Sequence, residues 1–516
     1  MSLAEADLKD SLRSLTESKV WWLLTRVSNF FAEQDIKSYI VGGLVRDVLL
    51  GRDTADIDIA VASDALEVAP KVADTLGGKY ILLDRLNRIG RVVLVDKGAS
   101  STGVQWELDF STFKDNIEQD LARRDFTIDA MAIDLSQFGK GFSDVQLIDP
   151  FNGWDDLRRG VLRAVAETAF EADAARLLRA VRLATQLGFS IDKKTEALVR
   201  RYSYLIASVA GERVREELLQ LLATPRTERL LFYLDELGLL TAVFPELAET
   251  KGVEQPKEHY WDVFDHSLKT VIAVDFLLRQ GAWEYASEEA LAAVPWSAVL
   301  VQHFDQEVSS GSTRRSLLKL AALLHDIAKP QSKAIDAGGR IRFLGHGKEG
   351  ATIVANMLGR LRFSAKEIQL VETEIRHHLR PPQMSQDELP TRRAIYRYFR
   401  DTGAAGIDIL FLSLADHLAT RGPQLNMSHW QEHAQVVEYV LSQRFQEESI
   451  TRPPKLVNGH DLINLFAMRP GPKIGEILEA VREAQASGEV TTRQEALSFI
   501  ERLLTSPPFS KEGKGS

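Results

Sequence analysis

Between residues 39 and 60 the chain reads YIVGGLVRDVLLGRDTADIDIA. Gly42, Gly43, Arg46, Asp56 and Asp58 there are of the types, and in the order, that nucleotidyl transfer needs. Side chains alternate across a strand, so the aspartates of DIDI project from one face while Ile57 and Ile59 fill the other. Two neighbouring carboxylates repel unless a cation stands between them. Mg²⁺ suits that place, being a hard ion held by a few carboxylates plus substrate phosphates, and a pair of such ions stabilises both the attacking and the leaving oxygen of an in-line displacement. A third carboxylate usually completes such a site. The strand-like run WELDF at 106–110 supplies Asp109, with Glu107 on the same face as its competitor.

The elements that must position these groups follow from the same stretch. Tyr39–Val41 reads as a short apolar strand, Gly42 and Gly43 are free to take positive φ, and Leu44–Leu50 continues as a helix with Arg46 in its first turn. Backbone N–H groups at such a helix start cradle a triphosphate. Taken alone, a diglycine is an ordinary turn and a D-x-D a solvated strand edge; in this order, together, they predict an enzyme.

The pattern GG-x-V-R-D-x-L-L-G followed by D-x-D resembles the first motif of the class II tRNA nucleotidyltransferase and bacterial poly(A) polymerase superfamily, and the resemblance continues. LARRDFTIDAMA at 121–132 is similar to the second motif, which implies that Arg124 and Asp125 act around the ribose and phosphates of the incoming nucleotide; Asp129 stands where the family has asparagine. IDPFNGWDDL at 148–157 resembles the hinge-like third motif, and FEADAARLLRAVRLATQLGF at 170–189 the fourth. The fourth implies that Asp173 and Arg176 read the Watson–Crick edge of the base, with Arg179 and Arg182 on the same helix; Ala172 replaces the family's glutamate. The spacing is compatible with this. Asp173, Arg176 and Arg179 recur every third residue along one helix surface, and an Asp–Arg pair offers acceptor and donors in a fixed plane.

At 516 residues the chain is long enough for three to four domains. No apolar run approaches the roughly 20 residues that cross a bilayer, and MSLAEADLKD is acidic where a signal peptide is basic, so a cytoplasmic, non-membrane protein is expected. With no cysteine, any metal must sit on His, Asp or Glu. The net charge of −10 argues against indiscriminate nucleic-acid binding and requires local basic patches for an RNA partner. The candidates are Arg392, Arg393, Arg397 and Arg400, interleaved with Tyr396, Tyr398 and Phe399 in TRRAIYRYFR, the alternative being a packed helix with snorkelling arginines.

A second constellation is made of histidines. Asp265-His266 opens a helix, LLHDIAK at 323–329 is an apolar helix carrying His325-Asp326, Gly345-His346 follows a loop, His377-His378 ends a helix, and Asp416 lies in LADHLA. This resembles the HD phosphohydrolase superfamily, which implies His266, His325, Asp326 and Asp416 as metal ligands, with His346 and His377 as the extra ligands of two-metal variants. His378 takes the place of His377 if the helix register differs by one. Imidazole with carboxylate suits Mn²⁺, Fe, Ni²⁺, Co²⁺ or Mg²⁺, and an open position activates water against a phosphoester. His259, His303, His417, His429, His433 and His460 read as surface or satisfied core residues.

From about residue 456, LVNGHDLINLFAMRPGPKI and the helices after it resemble the terminal domain of tRNA nucleotidyltransferases, which implies contact with the tRNA elbow. The expected class is α+β: a small mixed-sheet, polymerase-β-like nucleotidyltransferase head, then a largely all-α neck, HD-containing body and tail. The boundaries are an N-terminal helix over 1–35, the head over 36–150, a neck with the nucleotide-selecting helix over 151–255, the HD-type domain over 256–425, a tRNA-binding helical domain over 426–505 and a tail over 506–516. Residues 281–312 read as a loop or insertion, and GERVREELLQLL at 211–222 as a helix resembling the fifth motif. The expected activity is addition of C and A residues to the tRNA 3′ end from CTP and ATP, with Mg²⁺ at the transferase site and a transition metal or Mg²⁺ at the HD site. The alternatives are a CC-adding or A-adding specialist, a poly(A) polymerase, or an HD phosphohydrolase with a nucleotide-binding or RNA-binding head. The short segment Phe110–Gln119 bears on which of these applies.

Overall fold

The computed structural model describes residues 19–505 except 53, 55, 96–104, 140–145, 226, 385–388 and 447–453. The start of the expected N-terminal helix, 1–18, and the tail, 506–516, lie outside the described residues. Two compact units divide the chain after Val209, so the expected neck over 151–255 contributes to both.

Unit one is built on a seven-stranded mixed sheet in the order β3-β4-β5-β2-β1-β6-β7. The strands are β1 (Ser38–Val41), β2 (Asp56–Val61), β3 (Lys79–Asp84), β4 (Ile89–Val95), β5 (Gln105–Thr112), β6 (Ala132–Asp134) and β7 (Leu147–Ile148). In this sheet, among the described residues, β2 and β5 are the parallel pair, with Asp56 opposite Glu107 and Asp58 opposite Asp109; the antiparallel pairing of β4 with β5 sets Arg91 opposite Asp109. Alternate residues Ile57, Ile59, Leu108 and Phe110 are fully buried, which fixes this register, because a one-residue slip would drive the carboxylates into the core. Helix α1 (Lys19–Glu33) covers the sheet with Leu23, Leu24, Val27 and Phe31, and its Trp21 ring lies 4.9 Å from that of Phe138. Each such side chain contributes about 1.5–3 kcal/mol on burial.

The remaining helices of this unit hold the strand ends. Helix α2 (Gly43–Leu49) starts directly from β1, and α3 (Ala65–Leu76) is capped by Asp64, which accepts from the Leu66 amide at 3.0 Å. Helix α4 (Ile117–Ala122) follows β5 after a short link, as the sequence of Phe110–Gln119 suggests. A 3₁₀ turn at Thr127–Asp129 is clamped by α5 (Gly153–Arg159): Thr127 Oγ1 donates to Asp156 Oδ2 at 2.8 Å. Helices α6 (Arg176–Leu187) and α7 (Lys193–Tyr202) complete the unit.

Unit two is helical. Helices α8 (Gly211–Ala223), α9 (Glu228–Glu236), α10 (Val263–Leu277), α11 (Arg314–Leu324), α12 (His346–Arg360), α13 (Ala365–His377), α14 (Arg392–Thr402), α15 (Gly406–Arg421) and α16 (Met427–Gln446) precede a terminal trio, α17 (Gly459–Phe466), α18 (Pro472–Ala486) and α19 (Arg493–Thr505). Helix α10 is buried at every position except Asp265. Its Asp275 forms a buried ion pair with Lys319 of α11 at 2.5 Å and accepts from the Thr227 amide at 2.7 Å. The trio encloses its own core of Leu462, Ile477, Val481, Ala484, Val490, Ala496 and Ile500, with Pro472 at the start of α18.

Two expectations are corrected. Residues 281–312 are not a loop: helices Glu288–Ala292 and Ala298–Asp305 and a hairpin of Glu307–Ser309 with Ser312–Thr313 bury Trp283, Ala290, Val294, Leu300 and Phe304. One stretch among the described residues, Arg392–Gln424, is long and apolar enough to cross a membrane, but most of it is buried inside the unit. Three arginines of α14 are engaged by acids of the terminal segment. Arg397 donates to Glu483 at 2.9 and 2.6 Å, Arg400 to Glu479 and Glu483 at 3.1 and 3.0 Å, and Arg393 to Glu489 at 3.3 Å. Tyr398 and Phe399 are buried, and Tyr396 donates to Glu479 at 2.9 Å. These contacts, with buried Tyr398 and Phe399, match the alternative reading of this helix as a packed element with snorkelling arginines.

A Cβ built on Gly153 lies 2.1 Å from the Thr127 carbonyl oxygen, so only glycine lets α5 approach the 3₁₀ turn. Gly153→Ala is expected to lower stability by about 2–3 kcal/mol through overpacking. Urea unfolding read by tryptophan fluorescence checks this; an unchanged midpoint would refute the clamp.

Candidate active site and metal centre

The sheet register gathers the expected carboxylates. Asp56, Asp58, Glu107 and Asp109 share one face of the β2–β5 pair. Arg91 reaches them from β4: it donates to Asp109 Oδ1 at 2.7 Å and Oδ2 at 2.8 Å, and also pairs with Glu107. This arginine was not singled out from the sequence; its alternation with buried Val92 is the signal that it shares the acid face. Burial, reinforced by the charge of Asp109, raises the pKa of Asp56. Burial pushes Asp58 up to about 6, against the opposing pull of Arg124. A face of carboxylates carrying too much negative charge, with only hard oxygen donors, fits a divalent cation such as Mg²⁺.

Of the two turn glycines only Gly42 takes positive φ, at 71°; Gly43 already begins α2. A Cβ on Gly42 would lie 2.8 Å from both Asp58 Oδ2 and Arg124 Nη1, so the backbone passes directly against the acid cluster. Arg46 donates to Asp129 Oδ1 at 2.7 Å and pairs with its neighbour Asp47 at 2.9 Å. Asp129 is buried and its pKa is raised by that burial, with Arg46 opposing. Arg124 leans on Asp120 at 3.4 Å, and Arg179 pairs with Asp125 at 3.0 Å. The charge of Arg179 also acts on Asp56 and Asp58, which ties α6 electrostatically to the cluster.

Asp173 does not lie on the helix surface expected of it. Helix α6 begins at Arg176, and Asp173 sits in the preceding extended turn, φ −154° and ψ 102°, accepting from the Ala175 amide at 3.2 Å. Arg176 is steadied by the carbonyls of Ala169 at 3.2 Å and Arg123 at 2.8 Å, with its Nε 3.9 Å from Asp173. Arg182 points along the helix to Gln186 at 2.9 Å.

In unit two, His266, His325 and Asp416 form one group of converging ligand atoms, and Asp326, His346 and His378 a second. His378, not His377, occupies the last position: the helix ends one residue earlier than the expected register requires, and His378 Nδ1 meets the Ile375 carbonyl at 2.6 Å. His377 is half-buried, near Arg380 and Asp401. His325 Nδ1 likewise meets the Ala322 carbonyl at 2.9 Å and His346 Nδ1 the Phe343 carbonyl at 2.7 Å. A carbonyl only accepts, so Nδ1 carries the hydrogen and the Nε2 lone pairs face inward. Those of His346 and His378 meet at 3.2 Å, and the Nε2 of His325 lies 3.3 Å from that of His266, whose own Nδ1 has no such carbonyl partner. Opposed lone pairs at that distance call for a cation, so the donor set fits a divalent metal.

Burial would raise Asp326, but His325 and Lys329, the latter 2.6 Å away, hold its carboxyl well below the usual range. Asp416 is likewise held low by His266 at 3.1 Å despite burial. Burial lowers His266 and pushes His378 down to about 3. His259 lies against His266, His303 pairs with Asp408 at 3.1 Å, and His433 meets Ser413 at 3.0 Å.

Fold and site together define a nucleotidyltransferase joined to an HD-type helical domain. Family models agree: Poly A polymerase head domain over residues 38–163, HD domain over 281–421 and tRNA nucleotidyltransferase domain 2 over 352–500. The chain is 34% identical over 477 residues to the A-adding tRNA nucleotidyltransferase of Deinococcus radiodurans, covering 91% of this chain and 96% of that one. It is 33% identical over 483 residues to the CC-adding tRNA nucleotidyltransferase of Thermus thermophilus, covering 91% and 94%. A solved CCA-adding enzyme in its apo form shares the fold at TM-score 0.61 and 22% identity, over 96% of this chain and 98% of that chain. The chain belongs to the tRNA nucleotidyltransferase family.

Two outcomes follow from the geometry. Gly42→Ala should reduce transfer at least about 100-fold, because its Cβ displaces Asp58 and Arg124 and a misplacement of ~1 Å costs about that much; steady-state kinetics with unchanged circular dichroism checks it. Without cation, the folded protein binds a proton at Asp58 more readily than the unfolded chain, whose carboxyl titrates near 3.8. Its stability should therefore rise as pH falls through about 6, by about 1.4 kcal/mol between pH 7.5 and 5. Urea midpoints in EDTA at pH 7.5 and 5 test this, and Asp58→Asn should flatten the difference.

Proposed function

We propose that this enzyme adds C and A residues to the 3′ end of tRNA, taking CTP and ATP and releasing pyrophosphate. The observation that carries the reading is the parallel register of β2 and β5, which sets Asp58 beside Asp109 at the end of the Gly42 turn. Asp56, Asp58 and Asp109 would hold Mg²⁺. The bound ion would neutralise triphosphate charge and favour ionisation of the attacking hydroxyl. The amide groups at the start of α2, with Arg46, bind the triphosphate. Arg124 and Asp125 orient the ribose. Asp173 offers an acceptor and Arg176 donors toward the base, held by the carbonyls of Ala169 and Arg123 rather than by a shared helix surface. The tRNA 3′-oxygen bonds to the α-phosphorus as the bond to the β-phosphate oxygen breaks.

The second centre is read as a divalent-metal site held by His266, His325, Asp326, His346, His378 and Asp416, with phosphoester hydrolysis as an added activity. The terminal helices are read as contacting the tRNA, and the enzyme as cytoplasmic. A specialist that adds only CC or only A is the second reading, favoured by one observation: the A-adding and CC-adding relatives align over about nine-tenths of this chain.

The test supplies tRNAs ending before, within and after CC with labelled CTP, ATP or both, and sizes the products. Growth to CCA followed by a stop is expected; CC alone or A alone selects the specialist. Asp56→Ala should remove transfer to below about 1% of wild type, as loss of a charge-stabilising group at the reacting centre does. His325→Ala should leave transfer intact and remove metal from the helical unit, read by elemental analysis. Transfer that survives Asp56→Ala would overturn the proposal.

A further inference from the structure

Arg91 holds a place that the roles above leave unassigned. It stands on β4 directly opposite Asp109, which itself stands opposite Asp58, so the three occupy one row across adjacent strands. Its guanidinium takes both oxygens of Asp109, Nε to Oδ1 at 2.7 Å and Nη2 to Oδ2 at 2.8 Å, while Nη1 holds Glu107. Its charge also acts on Asp56. With one lone pair of each oxygen engaged by an in-plane fork, Asp109 has only its two remaining lone pairs to offer a cation beside Asp58, and the charge of Arg91 opposes that cation.

The geometry points to Arg91 as a positioning residue that governs cation entry: it occupies Asp109 until the divalent ion displaces it, and Glu107 then retains the freed guanidinium. This rests on the transferase reading of the Asp56–Asp58 face. Asp56 and Asp58 receive the ion first, and Asp109 joins only when the fork lets go. Glu107 thereby acquires a role of its own as the partner that keeps the arginine beside the site. A cross-strand ion pair serving the sheet alone would have no such link to metal.

The test uses full-length protein carrying His325→Ala and Asp326→Ala, which silences the second centre, and measures Mn²⁺ binding by electron paramagnetic resonance. On this background Arg91→Gln should bind Mn²⁺ about five- to tenfold more tightly, since a neighbouring positive charge and a competing fork are both removed. Arg91→Lys, which keeps the charge without the fork, should fall between Gln and wild type. The same ion should raise the melting temperature of Arg91→Gln more than that of the parent, a readout that holds even if the variant is less stable. Tighter binding that Asp56→Ala abolishes supports the inference. Binding that depends on Asp56 but is unchanged by Arg91→Gln or Arg91→Lys overturns it and leaves the transferase reading standing. Absence of any Asp56-dependent Mn²⁺ binding overturns both.

Discussion

The head depends on a pairing that is unfavourable on its own: two parallel strands that set acid opposite acid. Asp56 faces Glu107 and Asp58 faces Asp109, at a separation where like charges destabilise a sheet. The pairing persists because the opposite face buries Ile57, Ile59, Leu108 and Phe110 completely. Repulsion is offset by arginines drawn from other elements, Arg91 from β4, Arg124 after α4 and Arg179 from α6. Strand order, the Gly42 turn and the start of α6 all serve to bring those cations to that face. Burial is the main cause of the raised pKa of Asp58, and the charges of Asp56 and Asp109 add to it against the pull of Arg124.

Unit two meets the same electrostatic problem inside a core instead of at a surface. There the imidazoles are turned by backbone carbonyls one turn upstream, so that hydrogens point outward and lone pairs inward. Lys329 lies 2.6 Å from Asp326 and supplies the positive charge that the protein itself contributes. Helices α10, α11 and α15 are buried nearly all round, and the apolar composition of the stretch that includes α15 belongs to a core element.

Much of this was legible in the residues. The period-two pattern around Asp56 and Asp58 revealed strand and face together, and the apolar helix around His325 and Asp326 pointed to the clustered histidines and carboxylates of unit two. What escaped notice depended on partners distant in sequence. Arg91 reads as an ordinary strand residue until its strand is placed beside β5. The basic helix at 392–402 reads as an RNA surface or as a packed helix until Glu479 and Glu483, more than seventy residues on, are placed against it. His377 and His378 differ by one residue, and only the helix end separates them. Asp173 fails the helical spacing because an extended turn, set by the short helix Ala169–Ala172, intervenes.

The seam between α14 and α18 gives the end of the chain a particular mechanical character. Its arginine–glutamate contacts are exposed, and such pairs are worth about 0.2–1 kcal/mol each and weaken as salt shortens the Debye length below ~10 Å. The trio beyond it carries its own apolar core, which salt strengthens if anything. Ionic strength therefore acts on docking and folding in opposite senses: salt weakens the charged seam while leaving the trio's own apolar core in place.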